Sequence, residues 1–299
     1  MTATLIQPSP YPSRNPDGER LIDRVDPVIY PGQAGPLSAD QLTQFERDGF
    51  IQLPTWLDAE STLDVISAAQ HAQAKAAADP DHQVIFEPDN GRVRSIFAVH
   101  QQMGTFRALA RHPKLAGIAR QILGSEVYIH QSRINFKPGF EGRPFDWHSD
   151  FETWHMEDGM PRMRAISCVL FLDDNFVHNG PLMLIRGSHQ RYISCKGVTP
   201  DNHYEKSLRK QEYGVPSHDA LRSLCAEGEI VSATGTKGTV VFFDCNTMHG
   251  SSGNMTPYPR NNIFMVYNSV ENALLAPFCG QKPRPEHIAS RDFAGVSTY

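Results

Sequence analysis

The chain has 299 residues, of which 40% are hydrophobic and 20% are charged, so it can bury a sizeable core and is too apolar for a disordered protein. Its 28 lysines and arginines stand against 33 aspartates and glutamates, a formal net charge of -5, and the absence of any basic run argues against a nucleic-acid partner. No stretch approaches the roughly 18 apolar residues of a membrane span. We therefore expect a cytoplasmic protein that binds neither nucleic acid nor membrane.

The N-terminal part of the chain predicts an extended arm followed by helices. Residues 1–36 are rich in proline and have few periodic apolar positions, which is typical of an arm laid over the body of a protein. A capping box at Ser38 and Gln41 predicts a short helix, and longer helices are predicted at 58–79 and 106–123. These helices are expected to form an outer layer.

From Val127 onward, the pattern changes to short β-branched and aromatic runs separated by turn residues. The predicted strands lie at 127–137, 164–172, 182–185, 229–232, 238–244 and 262–270. A helical layer followed by many short strands favours a mainly β fold with outer helices around a double-stranded β-helix, that is, a jelly-roll or cupin-like core.

We expect one domain at 37–299, preceded by the arm at 1–36. Within that domain, the sequence pattern assigns the helical layer to 37–125, the jelly-roll core to 126–275 and a C-terminal extension to 276–299.

The segment Trp147-His148-Ser149-Asp150 is the sharpest chemical signal in the chain. In a strand, residues two apart point to the same face, so the side chains of His148 and Asp150 can converge. His249, which follows the apolar run at 238–244, is the best candidate for a third metal ligand. Two imidazoles and one carboxylate on a jelly roll predict the facial triad of Fe(II) oxygenases, which keeps coordination positions open.

Residues near the predicted metal site point to an acidic cosubstrate. Arg260 lies shortly after His249, where the next antiparallel strand is expected to begin, and its guanidinium can bind a carboxylate of a small diacid bidentately. The hydroxyl of Ser251 can add a hydrogen bond, which outlines a 2-oxoglutarate site. One face of the strand 127–137 carries a polar row that would line the pocket if it looked into the barrel: Gln131, Arg133, Asn135 and Lys137.

The segment 145–161, FDWHSDFETWHMEDGMP, closely resembles the signature of the ectoine hydroxylases, which belong to the phytanoyl-CoA dioxygenase-like branch of the Fe(II)/2-oxoglutarate oxygenases. Further segments look similar to that family: Tyr11–Arg14, Arg24–Val28, Gln131–Asn135, Asn179–Leu182, Gly187–His189 and Met248–Ser251. The resemblance therefore covers most of the chain. The sequence departs from the wider superfamily at Arg186, where a proline is usual before Gly-Ser-His.

The resemblance implies a dioxygenase that converts ectoine to 5-hydroxyectoine, with release of succinate and CO2. It implies Fe(II) as the metal, 2-oxoglutarate and O2 as cosubstrates, and a homodimer. The implied iron ligands are His148, Asp150 and His249. The residues implied around 2-oxoglutarate are Asn135, Phe145, Ser251 and Arg260. The residues implied around ectoine are Gln131, Arg133, Thr153, Trp154, Phe243 and Arg284.

Three alternatives remain open on the residues alone. A related 2-oxoglutarate-dependent hydroxylase could act on another small zwitterion, such as proline. A zinc hydrolase could use the same two histidines and aspartate with a metal-activated water as nucleophile, which would leave Arg260 without a role. A non-catalytic jelly-roll protein could bind a compatible solute without iron.

Overall fold

The computed structural model describes residues 9–16, 18–81, 83–87 and 90–297, and antiparallel sheets dominate this part of the chain. The strands are β1 (Arg20–Asp23), β2 (Phe50–Leu53), β3 (Val84–Phe86), β4 (Val93–Phe97), β5 (Val127–Asn135), β6 (Phe145–His148), β7 (Ala165–Phe171), β8 (Leu182–Ile185), β9 (Arg191–Ser194), β10 (Ile230–Ser232), β11 (Val240–Asp244), β12 (His249–Ser251) and β13 (Asn262–Ser269). The helices are α1 (Ala39–Asp48), α2 (Ala59–Ala78), α3 (Val99–Gln102), α4 (Gly104–Ala110), α5 (Pro113–Leu123), α6 (Asp150–Thr153), α7 (Tyr204–Ser207) and α8 (His218–Glu227), with a π-helical turn at Trp154–Asp158 and 3₁₀ turns at Ser188–Gln190 and Val270–Asn272.

Two antiparallel sheets packed face to face form the jelly roll, which confirms the predicted fold class. The larger sheet has seven strands in the order β2-β11-β7-β13-β5-β4-β3, and the smaller has four in the order β10-β8-β12-β6. Apolar side chains from both sheets fill the space between them, including Phe171 of β7, Leu184 of β8 and Phe243 of β11. The other face of the larger sheet is covered by helices α2, α4 and α5, which share one apolar core with it.

Alternation along the central strands explains this two-sided burial. In β11, Val240 and Phe242 pack toward the helices, whereas Val241 and Phe243 pack toward the smaller sheet. A strand that is covered on both faces reads as a continuous hydrophobic run, which is why β11 was recognisable in the sequence.

Local sequence explains both ends of α1, but the helix predicted across Pro113 was too long. The Ser38 hydroxyl accepts a hydrogen bond from the Gln41 amide, and the Gln41 side chain accepts one from the Ser38 amide, so the predicted capping box of α1 is confirmed. Gly49 then ends α1 in the left-handed region, at φ 81°. The helix predicted at 106–123 is instead two helices, because Pro113 cannot continue α4 and begins α5.

Strand β5 contains a bulge at His130 that the sequence did not predict. Ile129 and Gln131 are opposite consecutive residues of β13, so His130 is the extra residue between them. The bulge reverses the alternation, and Ile129 joins Ile134 in the core under the helices. Regular alternation along the predicted strand 127–137 would place Tyr128, His130 and Ile134 on one face, and the bulge shows that this expectation is wrong.

The described part of the N-terminal arm lies along the jelly roll. Strand β1 pairs with β9 in a separate two-stranded sheet. Tyr11 is completely buried, and its ring packs edge-on against those of Phe151 and Tyr192. The arm's first eight residues and Asp17 are outside the described residues. Within the described ranges, no helix has the length and apolar character needed to cross a membrane.

Candidate active site

His148, Asp150 and His249 come together where β6 ends and β12 begins, with ligand atoms within 4.8 Å of one another. His148 Nε2 lies 3.6 Å from Asp150 Oδ1, and His249 Nε2 lies 3.8 Å from Asp150 Oδ2. The two histidines are direct partners across β6 and β12, and their ring centroids are 4.2 Å apart. All three residues are buried. The three ligands proposed from the sequence therefore converge on one point.

Asp150 does not extend β6 as the reasoning about strand alternation expected. Strand β6 ends at His148, and Asp150 is the first residue of α6. The side chains converge because the chain turns from strand into helix at Ser149, whose hydroxyl donates a hydrogen bond to Asn246 Oδ1 at 2.9 Å. The spacing of two residues indicated the correct ligands, but their side chains converge through a strand-to-helix turn and not through alternation along a strand.

Backbone carbonyls orient both imidazoles toward the cluster. His148 Nδ1 is 2.8 Å from the carbonyl oxygen of Asp146, and His249 Nδ1 is 2.9 Å from that of Thr247. Each Nδ1–H therefore donates to a carbonyl, and each Nε2 presents its lone pair to the cluster.

The charge states of the cluster suit a metal ion. Burial by itself raises the pKa of Asp150, but His249, His148 and Arg133 outweigh burial and hold that pKa well below its usual range. Burial, together with His148, lowers the pKa of His249 to about 4. One carboxylate and two imidazoles then offer the donor set of a facial triad.

A cavity between the sheets opens beside the cluster, and part of the polar row of β5 faces it. All four residues implied around 2-oxoglutarate line this cavity, together with His148 and His249: Asn135, Phe145, Ser251 and Arg260. The Arg260 Nε donates to the carbonyl of Gly180 at 2.9 Å. The Ser251 hydroxyl accepts a hydrogen bond from Lys137 Nζ at 2.9 Å.

The charge of the cavity wall is mostly positive. Within the described chain, four arginines line the cavity against the carboxylate of Glu87: Arg94, Arg133, Arg143 and Arg260. Burial, with Arg94 beside it, lowers the pKa of Arg260 to about 10, a sign of positive charge that the protein compensates poorly. A cavity of this charge favours an anionic ligand.

Lys137 was predicted as a member of the polar row of the strand 127–137, although no ligand was assigned to it, and Arg94 was not predicted. Lys137 follows the end of β5 at Asn135, and it lines the cavity. Arg94 lies on β4, and its position in the cavity depends on the pairing of β4 with β5, for which the sequence has no local signal.

Two of the residues implied around ectoine lie close to the metal cluster. Arg133 lines the cavity, with its guanidinium 4.7 Å from the centroid of the Phe264 ring, and Nη1 donates to Gln131 Oε1 at 2.6 Å. The Phe243 ring centroid lies 4.8 Å from that of His249.

Of the other four implied ectoine residues, Gln131 lies on β5 beside Arg133, Thr153 and Trp154 lie on the helical segment that begins at Asp150, and Arg284 lies on the C-terminal extension. Trp154 is buried, with its ring centroid 5.1 Å from that of His130. The Thr153 hydroxyl accepts a hydrogen bond from Gln211 Nε2 at 3.1 Å. Arg284 lines a second cavity, and it donates two hydrogen bonds to Asp158, at 2.7 and 2.6 Å.

A jelly roll with two buried imidazoles and one carboxylate, opening onto a cationic cavity, defines the class of the non-haem Fe(II) oxygenases. The profile of the phytanoyl-CoA dioxygenase (PhyH) family matches residues 45–262. The chain is 51% identical to the ectoine dioxygenase of Stutzerimonas stutzeri strain A1501, over 96% of both chains.

Solved structures point to the same family. The crystal structure of EctD from S. alaskensis with bound Fe is similar at a TM-score of 0.86, with 44% identity over 97% of both chains. The structure of the same protein with 2-oxoglutarate and 5-hydroxyectoine is similar at a TM-score of 0.89, with 45% identity over 98% of both chains. The chain belongs to the phytanoyl-CoA dioxygenase family and, within it, to the ectoine dioxygenases.

Proposed function

We propose that this protein is an Fe(II)- and 2-oxoglutarate-dependent dioxygenase that hydroxylates ectoine to 5-hydroxyectoine, with release of succinate and CO2. The observation that carries the proposal is the buried cluster of His148, Asp150 and His249 beside a cavity lined by arginines. This site occurs in a chain that is 51% identical to an ectoine dioxygenase. It also occurs in a fold similar to that of a protein crystallised with 2-oxoglutarate and 5-hydroxyectoine.

The cluster fits Fe(II), because imidazole nitrogens and a carboxylate are the donors of the facial triad. We assign His148, Asp150 and His249 as the residues that would hold the metal. Bound Fe(II) supplies the redox chemistry through which O2 oxidises both 2-oxoglutarate and the substrate. The carbonyls of Asp146 and Thr247 keep the imidazoles in the tautomer that leaves Nε2 available for the metal.

We assign Arg260 and Ser251 to the distal carboxylate of 2-oxoglutarate, and Asn135 and Phe145 to the surrounding wall. The hydrogen bond from Arg260 Nε to the carbonyl of Gly180 fixes the plane of the guanidinium, whose remaining donors can bind a carboxylate. A zinc hydrolase would need no diacid and would leave this buried arginine unexplained.

Ectoine is a cyclic amidinium with a carboxylate, so its pocket needs a flat apolar wall and a few fixed polar groups. We assign the wall to Trp154 and Phe243, whose rings can face the amidinium. The carboxylate is assigned to Arg133, which lines the cavity, or to Arg284, which Asp158 holds in place. The remaining polar groups are assigned to Gln131 and Thr153.

We further propose that the protein is a cytoplasmic homodimer. The family resemblance supports this assembly, and the N-terminal arm is compatible with it. Light scattering on the eluted peak of a size-exclusion column tests the dimer, and fractionation of the native cells tests the location.

The test of the function is ectoine-dependent succinate formation by the purified protein with Fe(II), 2-oxoglutarate and O2, with mass analysis of the product. We expect ectoine to gain one oxygen atom. His148→Ala should abolish turnover and bound iron, whereas His178→Ala, which changes an exposed histidine, should leave both unchanged.

Other results would redirect the assignment. Succinate without hydroxylated ectoine would keep the dioxygenase and remove ectoine as its substrate, and proline would be tested next. Turnover without O2 or 2-oxoglutarate would favour the zinc hydrolase. Ectoine binding that needs no iron and survives His148→Ala would favour a binding protein.

A further inference from the structure

We propose that the N-terminal arm supports the ectoine side of the active site and that Arg14 is a positioning residue for substrate binding. The inference rests on the proposed function, because it concerns the ectoine side of the same site. It concerns the continuous helical segment Asp150–Asp158, which comprises α6 and the π-helical turn after it and is called here the active-site helix.

The active-site helix carries functional residues and buried charges within nine positions. Asp150 belongs to the metal cluster, and Thr153 and Trp154 are assigned to ectoine. Between and beyond them, Glu152 and Glu157 are also buried. A π-helical turn is uncommon and is often found at functional sites.

The arm contacts the active-site helix through one guanidinium. Arg14 is buried, with Nε and Nη2 donating to the two oxygens of Glu152 at 3.0 and 2.9 Å. Its Nη1 donates to Glu157 Oε1 at 2.5 Å and to Thr199 Oγ1 at 2.9 Å. Ser13 adds a hydrogen bond to Glu152 Oε1 at 2.6 Å. Glu152 lies in α6 and Glu157 in the π-helical turn, so Arg14 joins the two halves of the active-site helix.

Two further arm residues contact the same helix. The Tyr11 ring centroid lies 5.3 Å from that of Phe151, in an edge-on arrangement. The Ser9 hydroxyl is 2.9 Å from His155 Nε2. The arm thus contacts the active-site helix at four residues, of which Phe151, Glu152 and His155 lie between or directly beside the assigned metal and substrate residues.

Electrostatics makes Arg14 difficult to replace. Burial raises the pKa of Glu157, but His203, Arg14 and Arg284 outweigh it and lower that pKa to about 2. Two buried carboxylates therefore share the Arg14 guanidinium, and its removal would take this cation from Glu152 and leave Glu157 with His203 and Arg284. A bound metal would restrain Asp150 at the start of the helix, so the displacement should fall on the part that carries Trp154.

The test compares Arg14→Gln with Arg20→Gln, which changes an exposed arginine of the same arm. In Arg14→Gln we expect the KM for ectoine to rise by ~10-fold or more, because small displacements of positioning groups weaken productive binding strongly. The ratio of succinate formed to ectoine hydroxylated should rise as well. Iron content and the KM for 2-oxoglutarate should stay at wild-type values. Arg14→Lys should restore part of the loss, and Arg20→Gln should behave as wild type.

A binding measurement without turnover completes the test. Ectoine is titrated calorimetrically into the iron- and 2-oxoglutarate-loaded protein under anaerobic conditions. In Arg14→Gln the Kd for ectoine should rise by about the same factor as the KM. If Arg14→Gln does not fold, the charge-balanced double variant Arg14→Gln/Glu152→Gln takes its place, and the same loss is expected.

The outcomes separate the two proposals. A wild-type protein that does not hydroxylate ectoine removes the proposed function, whatever Arg14 does. With an active wild type, an unchanged ectoine Kd in the folded variant overturns the role of Arg14. A parallel loss of iron, 2-oxoglutarate affinity and ectoine affinity also overturns it, because Arg14 would then support the fold and not the substrate side of the site.

Discussion

Arg260 is the residue whose replacement should separate cosubstrate binding from stability most clearly. It is 5% exposed and lines the cavity beside the metal cluster. Burial, with Arg94 nearby, lowers its pKa to about 10, and Asp173 opposes this only in part. In the protein without 2-oxoglutarate, the guanidinium is therefore a buried charge with poor compensation, which a carboxylate of the cosubstrate would supply.

Arg260→Gln is expected to weaken the binding of 2-oxoglutarate without lowering the stability of the fold. Loss of one partner of a buried, hydrogen-bonded charge pair costs about 2–5 kcal/mol. At 1.36 kcal/mol per factor of ten, this corresponds to a rise of roughly 30- to 5,000-fold in the Kd and KM for 2-oxoglutarate. The melting temperature without 2-oxoglutarate should stay unchanged or rise, because a poorly compensated buried charge has been removed.

The assay is anaerobic calorimetry of 2-oxoglutarate with the iron-loaded protein, combined with thermal unfolding of the protein without ligands. Arg143→Gln is the matched control, because Arg143 lines the same cavity but its side chain is 46% exposed, and its replacement should change the Kd by no more than about threefold. An affinity for 2-oxoglutarate in Arg260→Gln that stays within about threefold of wild type would refute the reasoning. So would a large fall in melting temperature with an equal loss of ectoine binding.

Three further predictions concern the substrate wall, acid stability and a helix end. Trp154→Ala should raise the KM for ectoine and leave iron content unchanged, with Trp56→Ala as control; an unaltered KM would remove Trp154 from the pocket. Burial lowers the pKa of His100 from 6.5 to about 4, so the unfolded state binds more protons between these values, and stability falls as the pH drops through them. His100→Gln should make that fall in the free energy of unfolding shallower in urea titrations at several pH values, and an identical slope would contradict it. Ser38→Ala should cost about 1 kcal/mol of unfolding free energy in the same titrations, because α1 loses its capping acceptor; no measurable change would show that the cap is not needed.

Patterns within short stretches of the chain were enough to predict α1, α2, six strands of the two main sheets and the types of the ligands. The capping box at Ser38, the buried run of β11 and the turn residues between strands each depend on neighbours a few positions away. His148 and Asp150 were indicated by their spacing of two residues, and His249 was indicated by the apolar strand before it and by Ser251 and Arg260 after it. The resemblance of the segment 145–161 to the ectoine hydroxylases narrowed the expected chemistry further.

Contacts between distant segments were decided by the packing of the complete fold. His249 comes opposite His148 because β12 pairs with β6, and Arg94 enters the cavity because β4 pairs with β5. Arg14 contacts the active-site helix across more than a hundred residues of chain, and Arg284 donates hydrogen bonds to Asp158 across a similar separation in sequence. Local periodicity states which face of a strand or helix is buried, but not which partner will cover it. Strand pairing and charge pairing depend on the lowest free energy of the whole chain, and only the folded molecule contains that information.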